Sequence, residues 1–332
     1  MMKQEIEENL KNQGVNMKIF VDGGKRPAVT RMFPIWDKLG HKVVSKLGVA
    51  DVQLSVIKIS ERAKVPIVLR LDGVYYDKGM DYTNRNLIIS RSHKLAEAVV
   101  YQSNFSKLMC KKYLSKRKNP LYDVIYNGVD NSGWYNPIKH DGINIVSCAK
   151  WRRWKRLPET IEIFDEFLKT EPIAKLHIIG PMNKGSKIIK HKNVLYHNPK
   201  QQIGFNKIKK IYQTMDMFLH IAKKDWCPST VVEAIAAGLP VITTDACGGA
   251  AEMCTLTDGC VVVPDEKEHL EPVHVYSDGY NKISRETVDS VVKAMVGVVD
   301  IRHKVTMPNE LHVEYTAKKY LQLMEKVIEE KK

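Results

Sequence analysis

The chain is poor in the features that staple a fold or anchor it in a bilayer. Six cysteines are scattered over 332 residues, with no Cys-x-x-Cys pair and no Cys/His ligand spacing. That excludes a disulfide scaffold and a structural zinc site, and it points to a reducing compartment. Apolar runs stay well short of a membrane span; one of the longest, VVEAIAAGLPVI, is interrupted by Glu233, Gly238 and Pro240. The opening residues, MMKQEIEENLKNQG, are charged and lack the apolar stretch of a secretory signal. Residues 1–16 read as an extension ahead of the first strand, or Met17 as the natural start, and the chain reads as cytoplasmic.

Acidic residues are also in deficit, 38 against 52 Lys and Arg, for a net charge of +14. Much of the excess is clustered. KLMCKKYLSKRK (107–118) holds six basic residues and no acid, KWRRWKR (150–156) holds five, and 184–192 holds four more. Such a surface attracts polyanions or anionic lipid and allows a peripheral place at a membrane. It is equally readable as a solvated face that keeps the protein soluble. Hydrophobic content of 44% with 27% charged residues suits a folded soluble protein. The length exceeds what one core usually supports, so two domains are expected.

Short β-branched runs alternate with helical-period segments, the signature of a parallel sheet with crossover helices. In the first half the strand candidates are 17–23, 52–57, 66–73, 98–103 and 122–128, with helical stretches in RMFPIWDKLG and NLIISRSHKLAEA. NSGWYNPIKHDG (131–142) supplies Gly, Pro and Asn without periodicity and reads as a linker. The alternation restarts at 143–149 and continues through 176–181, 193–197, 217–222, 240–245 and 260–265. Helices are expected in LPETIEIFDEFLK, near 205–214 and over STVVEAIAAG, and two long candidates, 284–302 and 309–330, follow. The expected fold class is α/β, with two facing Rossmann-like domains at 17–138 and 139–308. The amphipathic helix of 309–332 is expected to cross back to the first domain.

The most informative stretch is DWCPSTVVEAIAAGLPVITTDACGGAAE (225–252). A strand ends near Ala222, and a loop leads into a helix whose first turn offers unpaired amides, a setting for phosphate or the polar edge of a sugar. Asp225 on the loop and Glu233 on the helix can point into one crevice at the carboxyl ends of the strands, where open α/β sheets place ligands. Their carboxylates suit vicinal hydroxyls. Thr230-Val-Val-Glu233 also reads as a capping box, in which Glu233 would serve backbone amides.

This segment resembles the donor-binding signature of retaining glycosyltransferases of family 4, which have the GT-B fold. The resemblance rests on an acid, seven residues and Glu233-Ala234, then Gly238-Leu239-Pro240-Val241 and Gly248-Gly249-Ala250-Ala251-Glu252. The first acid is Asp225 where the family usually has Glu, one methylene shorter, which leaves the donor sugar open. SCAKWRRWKRLPETIEIF (147–164) is similar to the family's strand, cation, four residues, Lys and helix, with Lys150 standing where Arg is usual. VVYQSNFSKLM and VIYNGVD are similar to its interdomain strand, serine and Asn-Gly-Val-Asp turn, and their part is structural.

The resemblance implies a nucleoside diphosphate sugar donor, UDP- or GDP-linked, with no further cofactor and no metal; the sequence has no Asp-x-Asp. It implies Glu233 on the ribose and Asp225 on the sugar hydroxyls. Amides at Ser229, Thr230 and Val231, with Lys150 and Lys155, would hold the diphosphate, and the lysines would stabilise its charge as it leaves. The catalytic set is then Asp72, Lys155 and Asp225. Gly23 and Gly24 either bring a loop to the phosphate or form a plain tight turn. Asp72, in LRLDGVYYD, either orients and deprotonates the acceptor or begins an Asp-Gly turn. Trp151 and Trp154 read as packing on the domain face or stacking on a base, and His197 and His220, at strand ends, as structural or as lining the donor pocket. The acceptor is left open among a glycan, a lipid-linked glycan and a modified nucleic acid, and so is the oligomeric state. Two rivals stand beside this reading: a sugar-nucleotide epimerase or hydrolase on the same fold, and a non-catalytic basic protein that binds nucleic acid.

Overall fold

A computed structural model describes residues 16–24, 26–62, 64–119, 121–183, 188–265, 270–299 and 305–331. The extension up to residue 15, the first four residues of the basic stretch 184–192 and the end of the helix candidate 284–302 lie outside the described residues.

Two parallel six-stranded sheets form. The first contains β1 (Lys18–Asp22), β2 (Lys42–Val44), β3 (Val52–Val56), β4 (Ile67–Leu71), β5 (Ala98–Tyr101) and β6 (Tyr122–Val124), in the order 2-1-3-4-5-6. The second contains β7 (Asn144–Cys148), β8 (Lys175–Ile179), β9 (Val194–His197), β10 (Met217–His220), β11 (Val241–Thr244) and β12 (Val261–Val263), in the order 12-11-10-7-8-9. Helices cover both faces of each sheet, so every residue of β3, β4, β10 and β11 is buried. Two-sided burial makes most of their residues apolar, but β3 (VQLSV) alternates and buries Gln53 and Ser55, and β4 buries Arg70. Strand order reverses beside β1 in the first sheet and between β7 and β10 in the second, and crevices open at such points outside the carboxyl ends.

The edge strand β2 has no counterpart among the sequence expectations. Its three residues are exposed or half-buried, so no apolar pattern marks it; main-chain pairing of Lys42 with Lys18 recruits it. The stretch 131–142 is likewise not a free linker. Trp134 is fully buried in the second domain's core, Ile138 N–H donates to the Gln213 carbonyl at 2.7 Å, and Gln213 Nε2 donates to the Gly133 carbonyl at 3.1 Å. One anchoring tryptophan in an aperiodic stretch leaves no sequence period to read.

The helix Val313–Glu329 lies in the core of the first sheet. Ala317, Tyr320, Met324 and Val327 pack with Ile19, Trp36 and Val100, and Trp36 Nε1 donates to the Ala317 carbonyl at 3.1 Å. The chain passes between domains beside itself, because Val129 N–H donates to the Leu311 carbonyl at 3.0 Å and Val313 N–H to the Val129 carbonyl at 3.1 Å. Gly128 permits this close passage; a Cβ there would stand 2.7 Å from the Val313 Cα.

Candidate functional site

A cleft of about 1160 Å³ lies between the domains, walled on one side by Arg26, Arg31 and Asp72 and on the other by Lys150, Asp225, Ser229, Thr230 and Glu233. The second-domain wall is assembled by the loops that follow β7 and β10, the two strands flanking the reversal of order.

Asp225 is held through its backbone and through one carboxylate oxygen. Its N–H donates to the Cys247 carbonyl at 3.2 Å, and its own carbonyl accepts from Gly249 N–H at 2.8 Å. This close approach needs Gly249, since a Cβ there would fall onto the Trp226 carbonyl. Lys155 Nζ forms an ion pair with Asp225 Oδ2, and His220 Nε2 stands 3.0 Å from the same oxygen. Burial works to raise this carboxyl, but the Lys155 ammonium and the His220 ring outweigh it and hold it well below the usual carboxylate range. Burial in turn lowers the His220 ring, so it sits neutral beside its acceptor. With both partners on Oδ2, Oδ1 has no protein partner among the described residues. Lys155 stands behind Asp225 rather than in the cleft wall; Lys150 is in the wall, exposed and without an ion-pair partner among the described residues.

Glu233 sits one turn into the helix Ser229–Ala236, whose N-cap is Pro228, so the capping-box geometry on Thr230 does not form. Its carboxylate instead meets the Arg31 guanidinium, which arrives from the first domain. Burial pushes the Glu233 carboxyl up, against the pull of Arg31. Arg31 also lies over the Phe205 ring, 5.1 Å from its centroid, and Phe205 meets the Trp134 ring edge-on at 4.9 Å. Two buried donors here, Arg31 Nη1 and Trp134 Nε1, have no protein acceptor among the described residues. At the helix mouth Val231 N–H donates to the Pro228 carbonyl at 3.1 Å and its side chain joins the core, which leaves the Ser229 and Thr230 amides facing the cleft.

On the first-domain side both Asp72 oxygens are already held. Arg26 pairs with Oδ2, while Arg70 and Gln102 Nε2 (2.5 Å) converge on Oδ1. Arg70 is fixed in turn by donating to Asn127 Oδ1 at 2.9 Å. The Asp-Gly turn does not form, because 72–76 run without a turn; Gly73 nonetheless has a positive φ of 135°, and a Cβ there would meet the Trp226 ring. Gly23, with φ 78°, and Gly24 turn the chain after β1 but do not reach the cleft wall, which begins at Arg26. Trp151 and Trp154 both pack, the first donating to the Ile179 carbonyl at 3.0 Å, the second against Tyr276. His197 pairs with His177, Nε2 to Nδ1 at 2.9 Å.

Glu252, the end of the Gly-Gly-x-x-Glu signature, works across the domain boundary. Its carboxylate accepts from the amides of Asn104 (2.8 Å) and Phe105 (2.6 Å) and from the Tyr126 hydroxyl (2.9 Å). With Ser103 capping Ser106 N–H, the first turn of the helix Asn104–Tyr113 is satisfied partly by the other domain. Arg31, Phe205 and Trp134 are the site residues that sequence reasoning missed. None of them sits in a motif; Phe205 falls only in the helix expected near 205–214.

Residues 131–272 match the family model of glycosyl transferases group 1. No curated protein matches the sequence. Among solved structures, the chain is similar to the Anabaena protein Alr3699/HepE in complex with UDP and glucose, at 13% identity and a TM-score of 0.60 over 93% of this chain and 100% of that one. It is similar to a glycosyltransferase from Rickettsia africae ESF-5, at 14% identity and a TM-score of 0.59 over 94% and 99%. It is also similar to sucrose-phosphate synthase from Thermosynechococcus elongatus, at 11% identity and a TM-score of 0.57 over 86% and 73%. The chain therefore has the two-domain GT-B fold, and its residues 131–272 are similar to the glycosyl transferases group 1.

Proposed function

We propose that the protein transfers a sugar from a nucleoside diphosphate donor to an acceptor hydroxyl, with retention of anomeric configuration. The observation that carries this reading is the position of Asp225, Glu233, Lys150 and the Ser229 and Thr230 helix-mouth amides, without acceptors among the described residues, on one wall of the interdomain cleft. Such a wall offers carboxylates for hydroxyls beside positive and partly positive groups for a diphosphate. HepE, a relative in fold, is described in complex with UDP and glucose and with UDP-glucose, which favours a uridine donor here.

In this reading Asp225 receives a sugar hydroxyl on Oδ1, while Lys155 and His220 keep the carboxylate ionised and aimed. Lys150 and the Ser229 and Thr230 amides take the diphosphate. Charge that builds on it as the glycosidic bond breaks meets donors already in place, so no reorganisation is needed at that moment. The acceptor hydroxyl attacks the oxocarbenium-like sugar from the face the diphosphate leaves. The Ser229–Ala236 helix presents Glu233 to the ribose once Arg31 gives way. Asp72, fixed by two arginines, aligns Arg26 and Arg70 along the acceptor side.

Thermal-shift measurements with UDP-, GDP- and ADP-glucose test the reading, followed by product analysis with the donor that stabilises most. Stabilisation by one of them, lost in Glu233→Ala, is expected, with the product anomer matching the donor. Release of free sugar or an epimer without acceptor would replace this reading with the hydrolase or epimerase one.

A further inference from the structure

We propose that the outer face of the first domain's helices Tyr82–Leu95 and Asn104–Tyr113 is a docking surface for a membrane rich in anionic phospholipid. Residues 82–118 carry nine Lys and Arg against a single acid, Glu97. That acid is already engaged, accepting from Ile67 N–H at 2.7 Å and from Lys331 at 3.2 Å. Lys112 is neutralised by Glu271, and Arg117 donates to the Ala96, Glu97 and Leu121 carbonyls. Arg91, Lys94, Lys111, Lys116 and Lys118 have no ion-pair partner among the described residues, and each is exposed.

The fold gathers these charges on one side. The crossovers from β4 to β5 and from β5 to β6 place both helices on the same face of the sheet. There Ile89, Met109 and Cys110 pack on Leu69, Leu71 and Tyr101. The helices lie side by side, with Ser115 N–H donating to Ser90 Oγ at 3.1 Å and the Tyr82 and Tyr113 rings 6.2 Å apart. Their opposite sides face solvent together.

Apolar side chains stand among the cations on those solvent sides. Leu87 is 48% exposed, Ile88 53% and Leu108 48%. A helix that only meets water places polar residues at such positions. Cations interleaved with aliphatic side chains match the two-layered chemistry of a membrane interface, with phosphate outside and acyl chain just beneath. A nucleic acid would use the cations but offers the leucine and isoleucine side chains little to enter. No described helix is long and apolar enough to cross a membrane, so the contact is peripheral.

The test sediments the full chain with vesicles of phosphatidylcholine alone and with vesicles containing about one-third phosphatidylglycerol. Two double variants are compared, Lys111→Glu with Lys116→Glu and Leu87→Ser with Ile88→Ser; Leu108→Ser serves as a second apolar probe. Binding to the anionic vesicles alone is expected. It should weaken about tenfold or more with the glutamate pair and about threefold or more with the serine pair. Melting temperatures with and without UDP check that each variant is folded and separate this face from the donor site. Equal binding to neutral vesicles, no binding to anionic ones, or apolar variants that bind like the parent overturn the proposal. If those apolar variants are silent while duplex DNA binding drops with the glutamate pair, the face belongs to nucleic acid instead.

Discussion

Asp225 and Glu233 are eight positions apart, yet they sit in opposite electrostatic settings: Lys155 and His220 hold one carboxyl down, while burial pushes the other up. Replacing Lys155 by Met removes the largest pull on Asp225, so its carboxyl returns toward the ordinary range. We expect turnover to fall by about 100-fold or more. The residual rate should decline at acid pH where the parent's does not, because a depressed carboxyl stays ionised and an unassisted one takes up a proton. A pH–rate profile of both proteins checks this. Arg31→Ala leaves Glu233 buried without its cation. The unliganded protein should lose about 2–3 kcal/mol, and the UDP-induced shift in melting temperature should grow, since nucleotide no longer competes with Arg31. The two acids were legible in the sequence because a loop and one helical turn fix their relation locally. Arg31 was not, since it reaches Glu233 across 202 positions of sequence. Nor could spacing tell that Asp72 arrives with both oxygens held.

The helix Asn104–Tyr113 shows how an element can depend on a distant one. Glu252 serves the amides of Asn104 and Phe105, so Glu252→Ala should cost about 1–2 kcal/mol in denaturant unfolding. Amide exchange should rise at the start of that helix more than within the helix Ser229–Ala236. Equal protection in both proteins would deny Glu252 this part. The strands could be placed from sequence because short β-branched and apolar runs alternate with helical-period segments. The short edge strand β2 and the helix Gly249–Thr255 could not. One is defined by main-chain pairing, and the other begins at a glycine required by the Trp226 carbonyl. Gly248-Gly249-Ala250-Ala251-Glu252 was readable as a signature, but not as a joint between domains.

Across the whole molecule, several histidines are buried in their neutral form. Burial lowers His93 and His177 from 6.5 to about 4, and it lowers His41, His197 and His220 as well. The unfolded chain therefore binds protons that the folded one refuses. The stability from these groups is complete above pH 6.5 and is lost as pH falls toward 4, with a group lowered to about 4 contributing up to about 3 kcal/mol. Melting temperature should drop steeply between pH 6.5 and 4.5, and His93→Gln should flatten part of that slope. The architecture was legible in outline, two Rossmann-like domains, because each rests on periodic patterns; the tightness of their joining rests on contacts no pattern records. The returning helix has a consequence for biosynthesis. Val313–Glu329 fills the core around Trp36 and Ile19, yet the ribosome makes it only after every strand of the second sheet. The domain translated first must wait, its hydrophobic interior unsealed, while the later one emerges and folds, and completion passes backward along the chain.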